Sequence, residues 1–374
     1  MTPADDLGRA PAAVLLDGWA GAVGQGRDDA LRLDKLELLR AEIEYVDRAV
    51  GQAAPPETVA RVLGDADEAM RRVLAEGPAA SFTAALASGV TAVVHADGSR
   101  PVGFVQDGFV DLDQPALAAW RVELEAAEGA VRHACAGTGR IGSAGAEHVG
   151  TAWVIGDGLL VTNLHVLRQL RGPGGGASAP GPGPLPDGIT VDLTGEVAAG
   201  GAHHEVAVTE VVAVGTPGDA AHQHPVARSL NFDGLDVAVL RFRPGAAESP
   251  EPLGLDLDRA QVEPPQRVFV VGYPGGPLST TPAAYACVFG GRSGVKRIAL
   301  GTVTTAPGQV PHDPRGWILE HDASTIGGSS GSPVVALDGR RLPVAVHVGG
   351  HHEHTNWAHA VAAVPWSDLH VPPG

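Results

Sequence analysis

Residues 324–339 read STIGGSSGSPVVALDG, and within the first nine stand four serines, Ser324, Ser329, Ser330 and Ser332. The apolar run Val334–Leu337 follows and is closed by the turn signal Asp338-Gly339. A Gly/Ser run by itself reads as linker. This one is short and enters a strand directly, so it reads as a tight turn presenting a hydroxyl. Its glycines let the backbone bend sharply and carry N–H groups close to a bound carbonyl. Acyl transfer by a serine needs two further groups: a base that takes the hydroxyl proton, and a carboxylate that orients the base and stabilises its charge. The chain offers both. His165 follows an apolar run in LLVTNLHVL, and Asp236 opens the strand-like run in LDVAVLRF. A carboxylate at the start of a buried strand costs free energy unless it is paired. Singly, His165 reads as one of 16 histidines and Asp236 as a turn residue like Asp233. Together with the serine run they form a base, an acid and a hydroxyl in chain order His, Asp, Ser, spaced 71 and 94 residues apart when counted to Ser330.

Such groups must be held by the elements around them. From residue 141 the chain is strand-like. HVGTAWVIGDGLLVTNLHVL contains two apolar runs joined by Gly156-Asp157-Gly158. Further runs lie at 189–193, 205–214, 235–242, 267–272, 284–289, 297–305, 316–320, 333–337, 342–348 and 358–364. Many short strands separated by Gly/Pro turns predict a sandwich or a pair of barrels. Residues 171–188, RGPGGGASAPGPGPLPDG, read as a surface loop. The first 138 residues differ. Leu36, Leu39, Ile43, Val46 and Val50 fall at 3-4 spacing and predict a helix. Val59, Val62, Leu63, Met70, Val73 and Leu74 predict a second, forming an antiparallel helical pair with the first over 29–76. Residues 90–112 are expected to form a small hairpin, and 115–131 a further helix. The division is therefore a mostly helical region, 1–138, regulatory or partner-binding in role, and a mainly β domain, 139–374.

Composition narrows the function. Formal net charge is -17, which opposes sequence-independent nucleic-acid binding. No apolar run approaches the ~20 residues of a membrane helix, and acids at 5 and 6 spoil the amino terminus as a signal peptide. Cys135 and Cys287 fall in different regions and are expected to be free thiols in a reducing compartment, the cytoplasm. Lysine is nearly absent against abundant Ala, Gly and Pro, pointing to a GC-rich bacterial gene. No cofactor or metal is expected: HHEH at 351–354 and His203-His204-Glu205 read as solvated loops.

The pieces GTAWVIGDGLLVTNLHVL, LDVAVLRF, VFVVGYPGG, STIGGSSGSPVV and VAVHVGG resemble the chymotrypsin-like (trypsin-fold) serine peptidases, and are most similar to the bacterial glutamyl endopeptidase (V8-type) branch. The resemblance covers about 150–364. It implies two antiparallel six-stranded β-barrels with the site between them. It also implies a nucleophile at Ser330, the first serine of Gly-x-Ser-Gly-x-Pro, with His165 as general base and Asp236 as its orienting acid. The amides of Gly328 and Ser330 would be the oxyanion donors. Thr325 and His347 would hold an acidic substrate side chain, so the expected substrate is a peptide or protein cut after Glu or Asp. Ser329 departs from the animal branch, where an Asp before the nucleophile receives a freshly cut amino terminus. Arg140-Ile141 is accordingly read as the lead-in to the first strand, not as a cleavage site. The competing reading is a catalytically silent or latent peptide-binding module of the same fold.

Overall fold

The computed structural model describes residues 28–77, 80–143, 146–156, 158–171, 181–197, 204–218, 230–243, 250–275, 281–351, 355–369 and 371. Three helices come first. Helix α1 (Asp28–Val50) buries Leu39, Ile43, Val46 and Val50, the stripe seen in the sequence. Helix α2 (Pro56–Glu76) starts with proline in its first turn and stops at Gly77, whose φ of 59° lets its N–H return to the Val73 carbonyl. Helix α3 (Ala84–Ala96) corrects the expectation of a hairpin beginning at residue 90. Thr83 caps it, its hydroxyl accepting the Leu86 N–H at 3.3 Å. Val90, Val93 and Val94 look strand-forming, but this helix is covered on nearly every side. A helix buried all round has no amphipathic stripe to betray it. The hairpin itself is shorter, β1 (Val102–Gln106) and β2 (Phe109–Val110), turning at Asp107 and Gly108 with φ of 50° and 75°. A 3₁₀ turn (Pro115–Trp120), α4 (Arg121–Ala126) and α5 (Glu128–Gly137) lead into the barrels.

Strands β3 (Thr138–Ser143), β4 (Ala146–Gly156) and β5 (Leu159–Thr162) precede helix α6 (Leu164–Leu170). After it come β6 (Gly183–Pro184), β7 (Ile189–Asp192), β8 (Glu205–Val214) and β9 (Ala238–Arg243). The order β8-β7-β3-β4-β5-β9 closes where β9 pairs with β8, and β6 is appended to β8. Arg140 and Ile141 lie inside β3, paired with Asp192 and Val191 of β7. The second ring uses β10 (Arg267–Gly272), β11 (Arg297–Thr305), β12 (Ile318–His321), β13 (Pro333–Ala336), β14 (Pro343–His351) and β15 (Thr355–Ala360). Its order is β10-β13-β14-β15-β12-β11, closed by β10 and β11. The fold is thus two closed antiparallel six-stranded barrels behind a helical region.

Residues 284–289, expected as a strand, are helix α7 (Pro282–Phe289). Thr281 accepts the Ala284 N–H, Pro282 occupies the first turn, and Gly290 ends the helix in the left-handed conformation. A short apolar run does not distinguish strand from helix; its flanking start and stop residues do.

The helical region is packed into the second barrel. Successive strand residues face opposite sides. Val268 and Val270 of β10 share one apolar cluster with Leu39, Ile43, Val62, Met70 and Val93 of the helices. Phe269 and Val271 share another with Trp153 and Val161 of the first barrel. Strand β1 also extends the second sheet, Val102 pairing with Ala299 and Phe104 with Arg297 of β11. A chain beginning at residue 139 would therefore expose one side of its second barrel. It is expected to aggregate or to melt far below the full-length protein in a circular dichroism scan; an unchanged cooperative melt would contradict this packing.

Candidate active site

Register brings His165 to Asp236. Thr162 at the end of β5 pairs with Ala238 at the start of β9, so the residues just beyond one face those just before the other. Helix α6 begins there because Leu164, Val166, Leu167 and Leu170 bury one side, leaving His165 on its first turn beside the cleft. The Asp236 carboxylate receives two bonds from His165: the backbone N–H at 2.8 Å and Nδ1 at 2.6 Å. Asn163 Nδ2 donates to the Asp236 carbonyl at 2.9 Å. The Asp236 N–H donates to Nε2 of His359, a buried side chain on β15, at 2.9 Å.

These contacts set the charges. Burial works against a charged His165, but the charge and hydrogen bond of Asp236 outweigh it, and Arg168 opposes them weakly; His165 is held above the ordinary histidine value. Burial likewise disfavours the Asp236 carboxylate, yet His165 and His359 together hold it below the ordinary carboxylate value. His359 is pushed down to about 4 by burial, against the pull of Asp236. It stays neutral near pH 7, as an acceptor of the Asp236 N–H must.

The serine run forms a knot of short bonds between β12 and β13. Ser329 N–H reaches the Ile326 carbonyl at 3.1 Å, and Ser332 N–H the Ser329 carbonyl at 3.0 Å. Gly331 N–H donates to the His347 carbonyl and His347 N–H to the Ser332 carbonyl, both at 2.9 Å. The first barrel grips the turn through Thr151: its N–H donates to the Ser330 carbonyl and its hydroxyl to the Gly328 carbonyl, each at 2.9 Å. Gly328 has φ of 95°, and a Cβ there would stand 2.4 Å from His148 Cε1 and 2.6 Å from the Tyr273 carbonyl oxygen. Among the described residues the amides of Gly328 and Ser330 donate to no acceptor. Ser324, Ser329 and Ser332 are buried at 8%, 4% and 0% exposure, whereas Ser330 is partly exposed. Its hydroxyl donates to the Val348 carbonyl at 3.3 Å and makes no hydrogen bond to His165.

Thr325 and His347 are both buried. Thr325 Oγ1 donates to Asn356 Oδ1 at 2.5 Å, and Asn356 Nδ2 donates to the Ala323 carbonyl at 2.7 Å. His347 Nδ1 lies 3.2 Å from Nε2 of His321. Burial, then the neighbouring His321 and His165, keep His347 well below the ordinary histidine value. Beside His165 a pocket opens, with Leu230, Phe232, Ile318 and Val348 as its apolar lining and Arg168 among its polar groups. Among the described residues no group of three metal-ligating side chains gathers; His203 and the side chains of 351–354 lie outside them. Sequence reasoning missed Asn163, Thr151, His321, Asn356 and His359. Asn163 stood two residues before His165 and could have been found; the others act across the barrels from distant positions.

Comparison with known proteins agrees with this architecture. A family model described as a trypsin-like peptidase domain matches residues 150–344, just over half of the chain. A protein of Lysobacter enzymogenes named as a probable serine protease is 31% identical over 292 residues, spanning 73% of this chain and 72% of its own. The chain belongs to the trypsin-like peptidase family of serine proteases. Two solved structures are distantly similar. Rv3671c of M. tuberculosis, in an inactive form, is 19% identical over 66% of this chain and 93% of its own, with a TM-score of 0.36. The MamO protease domain of Magnetospirillum magneticum is 18% identical over 64% and 98%, with a TM-score of 0.37.

Asp236→Asn removes the charge that offsets burial at His165. The imidazole titration followed by NMR is expected to move to lower pH. An unmoved titration would contradict the ion pair.

Proposed function

We propose that this serine protease is an endopeptidase acting through an acyl-enzyme on Ser330, with His165 as general base and Asp236 as orienting acid. The observation that carries the reading is the two-point hold of Asp236 on His165, through the backbone N–H at 2.8 Å and Nδ1 at 2.6 Å. With Nδ1–H committed to the carboxylate, Nε2 is the acceptor for a hydroxyl proton. Ser330 Oγ attacks the scissile carbonyl and its proton passes to Nε2. The carbonyl oxygen becomes an oxyanion that receives the free amides of Gly328 and Ser330. His165 returns the proton to the leaving amine, and water then releases the acyl group by the same route in reverse.

The hydroxyl bond to the Val348 carbonyl is what favours the second reading, a latent or silent module. Catalytic hydrogen bonds are often unmade before substrate arrives, so this contact is compatible with the acyl-enzyme reading. The test is labelling by a fluorophosphonate of the unmutated protein, Ser330→Ala and Ser329→Ala. Loss of label in Ser330→Ala alone is expected, and no label on the unmutated protein would sink the acyl-enzyme reading. Because the base must be neutral, hydrolysis should fall as pH drops through the raised His165 value. The acid limb of kcat/KM is expected above the ordinary histidine value of about 6.5.

The acidic side chain before the cut is assigned to Thr325 and His347, the Thr325 hydroxyl turning its one proton from Asn356 Oδ1 to the substrate carboxylate. Burial keeps His347 uncharged in the free protein, so it would serve as a hydrogen-bond donor through Nε2, with Nδ1 occupied by His321. Expected is preferential turnover of Glu-containing peptides, and loss of that preference by about tenfold or more in His347→Ala with ester hydrolysis retained. Equal turnover of Leu and Glu peptides by the unmutated protein would end this assignment. The free thiols of Cys135 and Cys287 support the cytoplasm as the place of action.

A further inference from the structure

The turn that delivers Thr325 and the Ser330 knot is held by the helical region. Arg100, between α3 and β1, places Nε 3.3 Å from Asp322 Oδ2, with both side chains largely buried. The other Asp322 oxygen accepts the Thr302 N–H at 2.6 Å, so the carboxylate is shared between Arg100 and β11. The Arg100 carbonyl accepts the Ser324 hydroxyl at 3.1 Å and faces His95 Nδ1 at 3.0 Å. Between these two points Ala323 lies against Gly301, where a Cβ would come within 2.4 Å of the Ala323 nitrogen. Ala323 and Ile326 join the apolar cluster that contains Val93 and Val94 of α3. On the opposite side Asn356 holds the Ala323 carbonyl and the Thr325 hydroxyl.

The turn is held from two sides, by Asn356 of the second barrel and by Arg100 of the helical region. Ser329 offers no carboxylate to a cut amino terminus, and Arg140-Ile141 is locked in β3. The contact from outside the barrels is Arg100. We infer that the helical region is a permanent part of the substrate site: Arg100 is a positioning residue that fixes the 322–326 turn, and through it Thr325, without touching substrate. The inference rests on the reading of Thr325 as a substrate contact. It gives residues 97–101 a role in specificity and excludes an inhibitory role for the contact they make.

The test uses full-length protein carrying Arg100→Ala, Arg100→Lys or Ser324→Ala. For Arg100→Ala, a rise in KM for Glu peptides of about tenfold is expected, the effect of losing one charge-assisted contact, with kcat nearly unchanged. Arg100→Lys should fall between, and Ser324→Ala should resemble a milder Arg100→Ala. Amide hydrogen exchange should quicken at 322–328 and not in α1 or β4. Unchanged KM with unchanged exchange at 322–328 overturns the inference. So does a fall in kcat at constant KM, which reports lost folded protein, and so does a gain in activity, which reports released inhibition. If the unmutated protein takes no fluorophosphonate, the acyl-enzyme reading has failed by itself. Exchange at 322–328 then decides whether Arg100 orders the turn: quickened exchange supports it and unchanged exchange overturns it.

Discussion

A carboxylate withdrawn from water must find donors, and the structure is arranged around that demand at Asp236. Both carboxylate oxygens are taken by His165, through the backbone and through the ring. The peptide on either side is tied as well, its carbonyl to Asn163 and its N–H to His359. With every polar group of Asp236 engaged, the imidazole beside it has one orientation and one tautomer. In the proposed mechanism His165 accepts a proton from a fixed direction, and that role needs this constraint.

The two barrels exchange supports. His359 belongs to the second barrel and holds the acid of the first. Thr151 belongs to the first barrel and holds the serine turn of the second, through the carbonyls of Ser330 and Gly328. Each barrel thus positions the other's reactive segment, and a shift of one against the other disturbs both ends of the cleft together. The glycines of the turn are needed for the same closeness: at Gly331 a Cβ would stand 2.2 Å from the Thr151 carbonyl oxygen, and φ there is 87°. The helical region joins this arrangement as a third layer. Its apolar residues cover one side of the second barrel's strands, and Arg100, in the connection between α3 and β1, reaches the turn before Ser330.

Much of this was legible in the residues themselves. The 3-4 stripe of α1, the paired runs of β4 and β5, and most of the short bracketed strands from 189 onward, though not 284–289, read correctly because each buries one face or ends at a turn residue. The Ser-rich turn, His165 and Asp236 stood out because three chemically complementary types occur in order. Two helices did not read, nor did the two-residue strand β6 inside the run expected as a loop. Helix α3 is enclosed, so its valines show no period, and α7 is an eight-residue apolar run whose Thr281-Pro282 start and Gly290 stop outweighed its strand-like composition.

What the sequence by itself determined is the set of local choices: which segments are helix or strand, where the chain must turn through glycine, and which residue types could exchange a proton. Those follow from side-chain shape, burial pattern and backbone sterics within a few residues. Tertiary structure alone decided that Ser330 is the most accessible of the four serines, that His321 backs His347, that His359 steadies Asp236, and that Arg100 reaches the turn before Ser330. Each of these joins residues up to 224 positions apart across barrel or helix contacts. Burial and hydrogen-bond satisfaction at such distances are properties of the packed chain, and no local pattern encodes them.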